Sequence, residues 1–274
     1  MIEMVVESIR ESLVNYQCVV ILKEKEGSRY LPIWIGHNEA DAITLAVKKV
    51  KIQRPLTHDL LQNFLLGLGY KINLIIIDKL QNETFFARVV IDVNQLISYV
   101  EEKLQKAIVR HIEQEEKWLT FVHGGKRIAK VIDEWESSGK RMYKVIEVKD
   151  EDLAENKINE RAVIFEISHD LSNNEWLITK IFIDSRSSDA LAIAVRGNGD
   201  EPGDEVPIYV DEDVLERGGV NLDKDTGKPV DENTEPQPNQ EEKPVIDEEM
   251  KKKASAFYDY INKIDLDDFG KHQS

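Results

Sequence analysis

Ile183-Asp184-Ser185-Arg186-Ser187-Ser188-Asp189-Ala190-Leu191-Ala192 passes from an apolar strand, through a polar turn, into a compact helix. Residues 176–184 are rich in branched and aromatic side chains, a strand pattern. Ser187 or Ser188 can cap the helix, and the residues from Asp189 to Val195 are small and apolar at helical spacing. A helix N-terminus carries free N–H groups and the positive end of the peptide dipoles, so this turn is a place where a phosphate can sit. Two more joins of this kind occur upstream, at Gly36-His37-Asn38-Glu39-Ala40-Asp41 and at Arg54-Pro55-Leu56-Thr57-His58-Asp59.

Working outward, residues 17–23 and 30–35 read as strands joined by a polar turn that contains Gly27. Residues 39–48 read as a helix with Ala40, Ile43, Ala46 and Val47 inward. A second helix is expected from about Arg54-Pro55, with Leu60, Leu61, Phe64, Leu65 and Leu68 at helical spacing and an end at Gly67 or Gly69. Residues 70–78 and 84–92 read as strands. From Val93 to about Leu119 the spacing predicts a long helix of mixed charge. Residues 120–160 are weaker in pattern, with Trp118, Phe121, Trp135 and Tyr143 marking a small satellite core. Strands resume at 162–168, 176–184 and 206–210, and a short helix at 211–217 stops at Gly218-Gly219. The pattern is that of an α/β (α+β) chain, a mixed β-sheet packed with helices.

Net charge is −16 over 274 residues, and most of it lies beyond residue 199, leaving the body close to neutral. That balance neither requires nor excludes a nucleic-acid partner. From 220 to 249 acidic, Pro, Asn and Gln residues dominate, the composition of a flexible acidic linker. Residues 250–274 recover an amphipathic helix through Met250, Ala254, Phe257, Tyr258 and Ile261, suited to docking on a protein partner. No apolar run approaches the roughly 20 residues that span a bilayer. Residues 1–7 lack the basic and apolar regions of a secretory signal. The single Cys18, set among Val19, Val20 and Ile21, reads as a buried structural thiol, and the expected compartment is the cytoplasm.

The three joins carry the residues that could do chemistry. Arg54 and Arg186 can clamp a phosphate bidentately, and Ser188 can contact the same substrate. Glu39, Asp59, Asp184 and Asp189 can hold Mg²⁺ or Mn²⁺ through oxygen. His58, an imidazole able to donate or accept a proton, can exchange one with attacking water or a leaving oxygen. Ordinary structural roles compete for every one of these residues. First-turn acids complement the helix dipole, serines cap, and Arg54 and His58 can pair with surface carboxylates.

At these same segments the chain resembles the bifunctional nuclease family. The matching pieces, in family order, begin with Leu22-Lys23-Glu24, Tyr30-Leu31-Pro32-Ile33-Trp34-Ile35-Gly36 and Glu39-Ala40. Arg54-Pro55-Leu56-Thr57-His58-Asp59-Leu60-Leu61 and Thr84-Phe85-Phe86-Ala87 come next, and then residues 183–192 with Pro207-Ile208-Tyr209-Val210. The resemblance implies a bifunctional-nuclease-like domain over 1–219, interrupted at about 93–175 by a helical or mixed insertion where the family has a short hairpin. It implies DNA and RNA phosphodiester hydrolysis and self-association into a homo-oligomer; His58, Asp59, Asp184 and Asp189 are the catalytic candidates on their own chemistry. The sequence departs from the family at Ser187, usually proline, and at His37, usually small or proline.

Overall fold

The computed structural model describes residues 1–11, 18–99, 117–149, 152, 158–159, 161–199 and 205–221. The chain starts with strands β1 (Ile2–Glu11), β2 (Cys18–Glu24) and β3 (Arg29–Ile35), then helices α1 (His37–Val47) and α2 (Thr57–Gly67). Strands β4 (Lys71–Gln81), β5 (Thr84–Tyr99), β6 (Trp118–Val122), β7 (Lys126–Ser137), β8 (Lys140–Glu147), β9 (Ile164–Asp170) and β10 (Glu175–Arg186) come next. Helix α3 (Ser187–Ala194), strand β11 (Ile208–Val210), helix α4 (Glu212–Gly218) and strand β12 (Val220–Asn221) complete it.

The strands hydrogen-bond in the order β10-β9-β8-β7-β6-β5-β4-β11-β1-β2-β3-β12, and β10 also pairs with β5. Among the described residues only β11 and β4 pair in parallel, so the sheet is mixed, as expected. Cys18, Val19, Val20, Ile21 and Leu22 of β2 are all buried, as a strand covered on both faces requires. In β1, Met4 points into the core while Val5 and Glu7 face outward, a period-two pattern that the sequence reading passed over. Helix α3 is apolar nearly all round and buried except at Asp189, with Leu191 and Ala190 completely so, packed against α1, β4, β5 and β10. Its core partners include Ile43 of α1, Ile75 and Ile77 of β4, and Ala87 and Val89 of β5. Each fully buried Leu or Ile there contributes about 1.5–3 kcal/mol of transfer free energy.

The insertion departs from the sequence reading. Its described residues are mostly strand, with Asp152 helical, and Val93 to Tyr99 continue β5 where a helix was expected. Residues 100–116 of the expected long helix lie outside the described residues, and its last two, Trp118 and Leu119, open strand β6. Because β10 pairs with both β9 and β5 while β5 pairs with β6, strands β5 to β10 close a ring of six antiparallel strands. Each neighbour contributes alternate residues to one interior: Leu119 and Phe121, Ala129 and Val131, Tyr143 and Val145, Phe165 and Ile167, Trp176 and Ile178, with Val93 and Ile97. A six-stranded barrel is narrow enough for such side chains to fill it. The bend that sends β5 into the barrel is a bulge. Asn94 has φ 49°, and β5 advances from Asp92 to Gln95 while β10 moves only from Lys180 to Ile178. Apolar residues at helical spacing were misleading here because pairing with β10 and burial in the barrel outweigh local periodicity.

The satellite core expected from Trp118, Phe121, Trp135 and Tyr143 is this barrel interior, occupied by Phe121 and Tyr143. Helix α2 starts at Thr57, two residues after Pro55. At the C-terminal side, Val220 and Asn221 pair with Tyr30 and Arg29 of β3, so the first two residues assigned to the acidic linker belong to the sheet. The remainder of the linker and the amphipathic 250–274 segment lie outside the described residues.

Candidate active site

Three helices place an acid at the third residue of their first turn: Glu39 in α1, Asp59 in α2 and Asp189 in α3. That position lets a carboxylate accept from the cap amide and favours its charge through the helix dipole. Asp59 does so directly, with Oδ2 accepting from the Leu56 N–H at 2.6 Å.

The helix starts are brought together by the packing of α3 against α1 and α2. Arg186, the N-cap residue of α3, donates from Nε to Asp189 Oδ2 at 2.6 Å and from Nη2 to Oδ1 at 3.0 Å. Its Nη1 lies 3.2 Å from Glu39 Oε1, so one guanidinium joins the carboxylates of α1 and α3. His58 Nε2 of α2 stands 3.3 Å from Asp189 Oδ1. Burial alone would raise the Asp189 pKa, but hydrogen bonds from Arg186 and then His58 outweigh it and hold the group below its ordinary value. Asp189 is therefore an anion at neutral pH, able to orient His58 and to bind cations. The Arg186 side chain is 69% exposed, so its pairs with both carboxylates lie open to solvent.

Asp59 is occupied elsewhere. Its Oδ1 accepts from Arg196 Nε at 2.5 Å, and the Arg196 side chain is only 7% exposed. The same guanidinium donates to Ala192 O at the end of α3 and to Ala42 O of α1 at 3.2 Å. Arg196 thus ties the three helices together behind the cluster. Sequence reasoning missed it. The available signal was a basic residue directly after the last turn of an apolar helix, where it complements exposed carbonyls.

Asp184 does not join the cluster. It faces Arg88 across the β5–β10 pair, in step with Phe182 facing Val90 in the small core of Ile76, Ile146 and Ile164. The intervening Ile183 faces Val89, which belongs to the helix-covered core. Strand alternation therefore puts Asp184 on the face away from α1 and α3. It lines an open depression of about 350 Å³ with Asp78, Lys79, Gln81, Phe86, Arg88, Asn159 and Arg161. There Arg88 Nε donates to Asp78 at 2.8 Å, and Arg161 lies 4.2 Å over the Phe86 ring. Ser188 is buried in the first turn of α3, and Arg54 is exposed in the loop before α2. The structure thus unites Glu39, His58, Arg186 and Asp189, holds Asp59 behind them, and separates Asp184. A metal site shared by all four proposed carboxylates does not assemble within one chain.

Comparison with known proteins reaches part of this cluster, the α1 and α2 segments but not α3. Two uncharacterized proteins of Mycobacterium tuberculosis, from strain CDC 1551 and strain H37Rv, are each 43% identical to the chain over 96 residues. The aligned stretch is 35% of this chain and 58% of each relative, so the chain spans little more than half the length of the curated relatives it matches. Residues 20–109, which contain α1 with Glu39 and α2 with His58 and Asp59, match the family model of the bifunctional nuclease domain.

Proposed function

We propose that the chain hydrolyses phosphodiester bonds of DNA and RNA at the cluster of Glu39, His58, Arg186 and Asp189. One observation carries this reading: three helix N-termini, contributed by segments distant in sequence, meet around an exposed arginine, a histidine and two carboxylates. The bifunctional nuclease match supports the substrate class. Arg186 binds the phosphate bidentately once it turns from Glu39 and Asp189. His58, held at Nε2 by Asp189, moves a proton to or from the reacting oxygen through its other ring nitrogen, Nδ1. Glu39 and Asp189 are the donors for Mg²⁺ or Mn²⁺, which would neutralise charge on the phosphate. Arg186 now sits between their oxygens, so ion and guanidinium compete for them.

The cytoplasm remains the compartment proposed. Among the described residues no helix is long and apolar enough to cross a membrane. Self-association through α2 belongs to the same proposal. Leu60 and Phe64 are 63% and 61% exposed on that helix, and Leu61 and Leu68 are exposed beside them.

A second reading, a non-catalytic binding module, is favoured by the way Asp59 and Asp189 are each matched by an arginine. Cleavage of single-stranded RNA and DNA by purified protein with Mg²⁺, Mn²⁺ or EDTA separates the two. Cleavage that requires the metal supports the nuclease. Binding without cleavage under every condition establishes the module.

A further inference from the structure

Apart from this cluster, three side chains of different chemistry converge at the end of the β1–β2–β3 sheet. Glu11 and Cys18 are cross-strand partners closing the β1–β2 pair. On its other side Cys18 pairs with Ile35, the last residue of β3, and His37 opens α1 two residues later. Backbone register alone therefore delivers a carboxylate, a thiol and an imidazole to one point.

Cys18 Sγ lies 3.3 Å from His37 Nδ1, and Glu11 Oε1 lies 3.5 Å from the same nitrogen. All three ligand atoms fall within 4.8 Å of one another. A tetrahedral Zn²⁺ with a Zn–S bond of about 2.3 Å and Zn–N and Zn–O bonds of about 2.0 Å sets ligand-to-ligand edges of roughly 3.3–3.6 Å. The two separations from Nδ1 already match those edges.

We propose that Glu11, Cys18 and His37 form a binding site for a divalent ion of the zinc class, with three protein ligands and a fourth position open to solvent. None of these residues belongs to the Glu39–His58–Arg186–Asp189 cluster, so the site stands or falls independently of the nuclease reading.

A nucleophilic Cys–His–Glu relay is the main competitor, and the geometry disfavours it. In a relay the thiol meets one ring nitrogen while the orienting carboxylate holds the other. Here both groups approach Nδ1, which has one proton or one lone pair and cannot serve both fully. A cation at the centre serves all three. The donor set is also selective: sulfur and nitrogen suit zinc-class ions, whereas Mg²⁺ and Ca²⁺ take oxygen. The positive end of the α1 dipole opposes a cation here, and the carboxylate of Glu11 supplies compensating negative charge. Cys18 is buried, while the side chains of Glu11 and His37 are about half exposed, so an ion can enter from solvent.

The test is titration of the full chain with Co²⁺, followed by displacement with Zn²⁺. One equivalent per chain should produce a thiolate-to-cobalt charge-transfer band in the near ultraviolet, which Zn²⁺ abolishes. The band should vanish in Cys18→Ser. In His37→Ala and Glu11→Gln, which alter half-exposed side chains and whose folding circular dichroism checks, affinity should fall by more than about 100-fold, beyond the usual effect of outer-shell changes. No band in the wild-type chain at stoichiometric Co²⁺, or an equally tight band in His37→Ala, overturns the proposal.

Discussion

Replacing Arg196 by methionine keeps most of the side chain's apolar length and removes only the guanidinium that links α1, α2 and α3. In the folded protein that group meets Asp59 and the carbonyls of Ala42 and Ala192 from a position only 7% exposed. Stranding the partner of a buried ion pair costs about 3–5 kcal/mol. Asp59 is 25% exposed and keeps the Leu56 amide, so solvent and the cap recover part of this. Each carbonyl that loses a donor adds about 0.5–1.5 kcal/mol. The expected loss is about 2–4 kcal/mol, which for a urea slope of about 2 kcal/mol/M lowers the unfolding midpoint by roughly 1–2 M. A double-mutant cycle with Asp59→Asn should give a coupling of about 1–3 kcal/mol, since the two groups touch. A loss below about 0.5 kcal/mol, typical of an inert surface site, refutes the idea that Arg196 holds the three helix starts in register.

Phe165→Ala opens the barrel interior, where the ring is 2% exposed and packs edge-on to Phe121 at 5.3 Å, and should cost about 3–5 kcal/mol by denaturant titration. The Asp189 pKa is depressed in the folded state, so its contribution to stability is present above the ordinary aspartate value of 3.8 and is lost as pH falls through the folded value. Arg186→Gln should flatten that acid limb in a stability–pH profile measured below pH 3.8. Charge on the exposed face of α2, as in Leu60→Glu with Phe64→Glu, should lower the oligomeric state by sedimentation and leave the circular dichroism spectrum unchanged.

The open sheet and its helices were legible because β2, β3, α1 and α3 each carry a local pattern that agrees with their tertiary environment. The barrel was not. Val93, Leu96 and Ile97 match a helix in spacing, and only the long-range pairing of β5 with β10 shows them to be strand. At the site, residue type and helix-start position nominated Glu39, His58, Asp59, Arg186 and Asp189. Sequence could not tell that strand alternation turns Asp184 to the opposite face, or that Arg196 takes Asp59. Cys18 was expected to be a buried thiol, and it is. Its neighbours Glu11 and His37 come from other elements and become visible only through register.

The central claim is that the face bearing the helix starts, not the depression containing Asp184, carries the chemistry. Initial rates of single-stranded RNA cleavage by His58→Gln, Asp189→Asn and Asp184→Asn, purified identically and checked for folding, test it most directly. The first two should lose about 10²–10⁴ in rate, the range for a general acid or base and its orienting partner, while Asp184→Asn stays within about threefold of wild type. Full activity in His58→Gln and Asp189→Asn, or an equal collapse in Asp184→Asn, would contradict it.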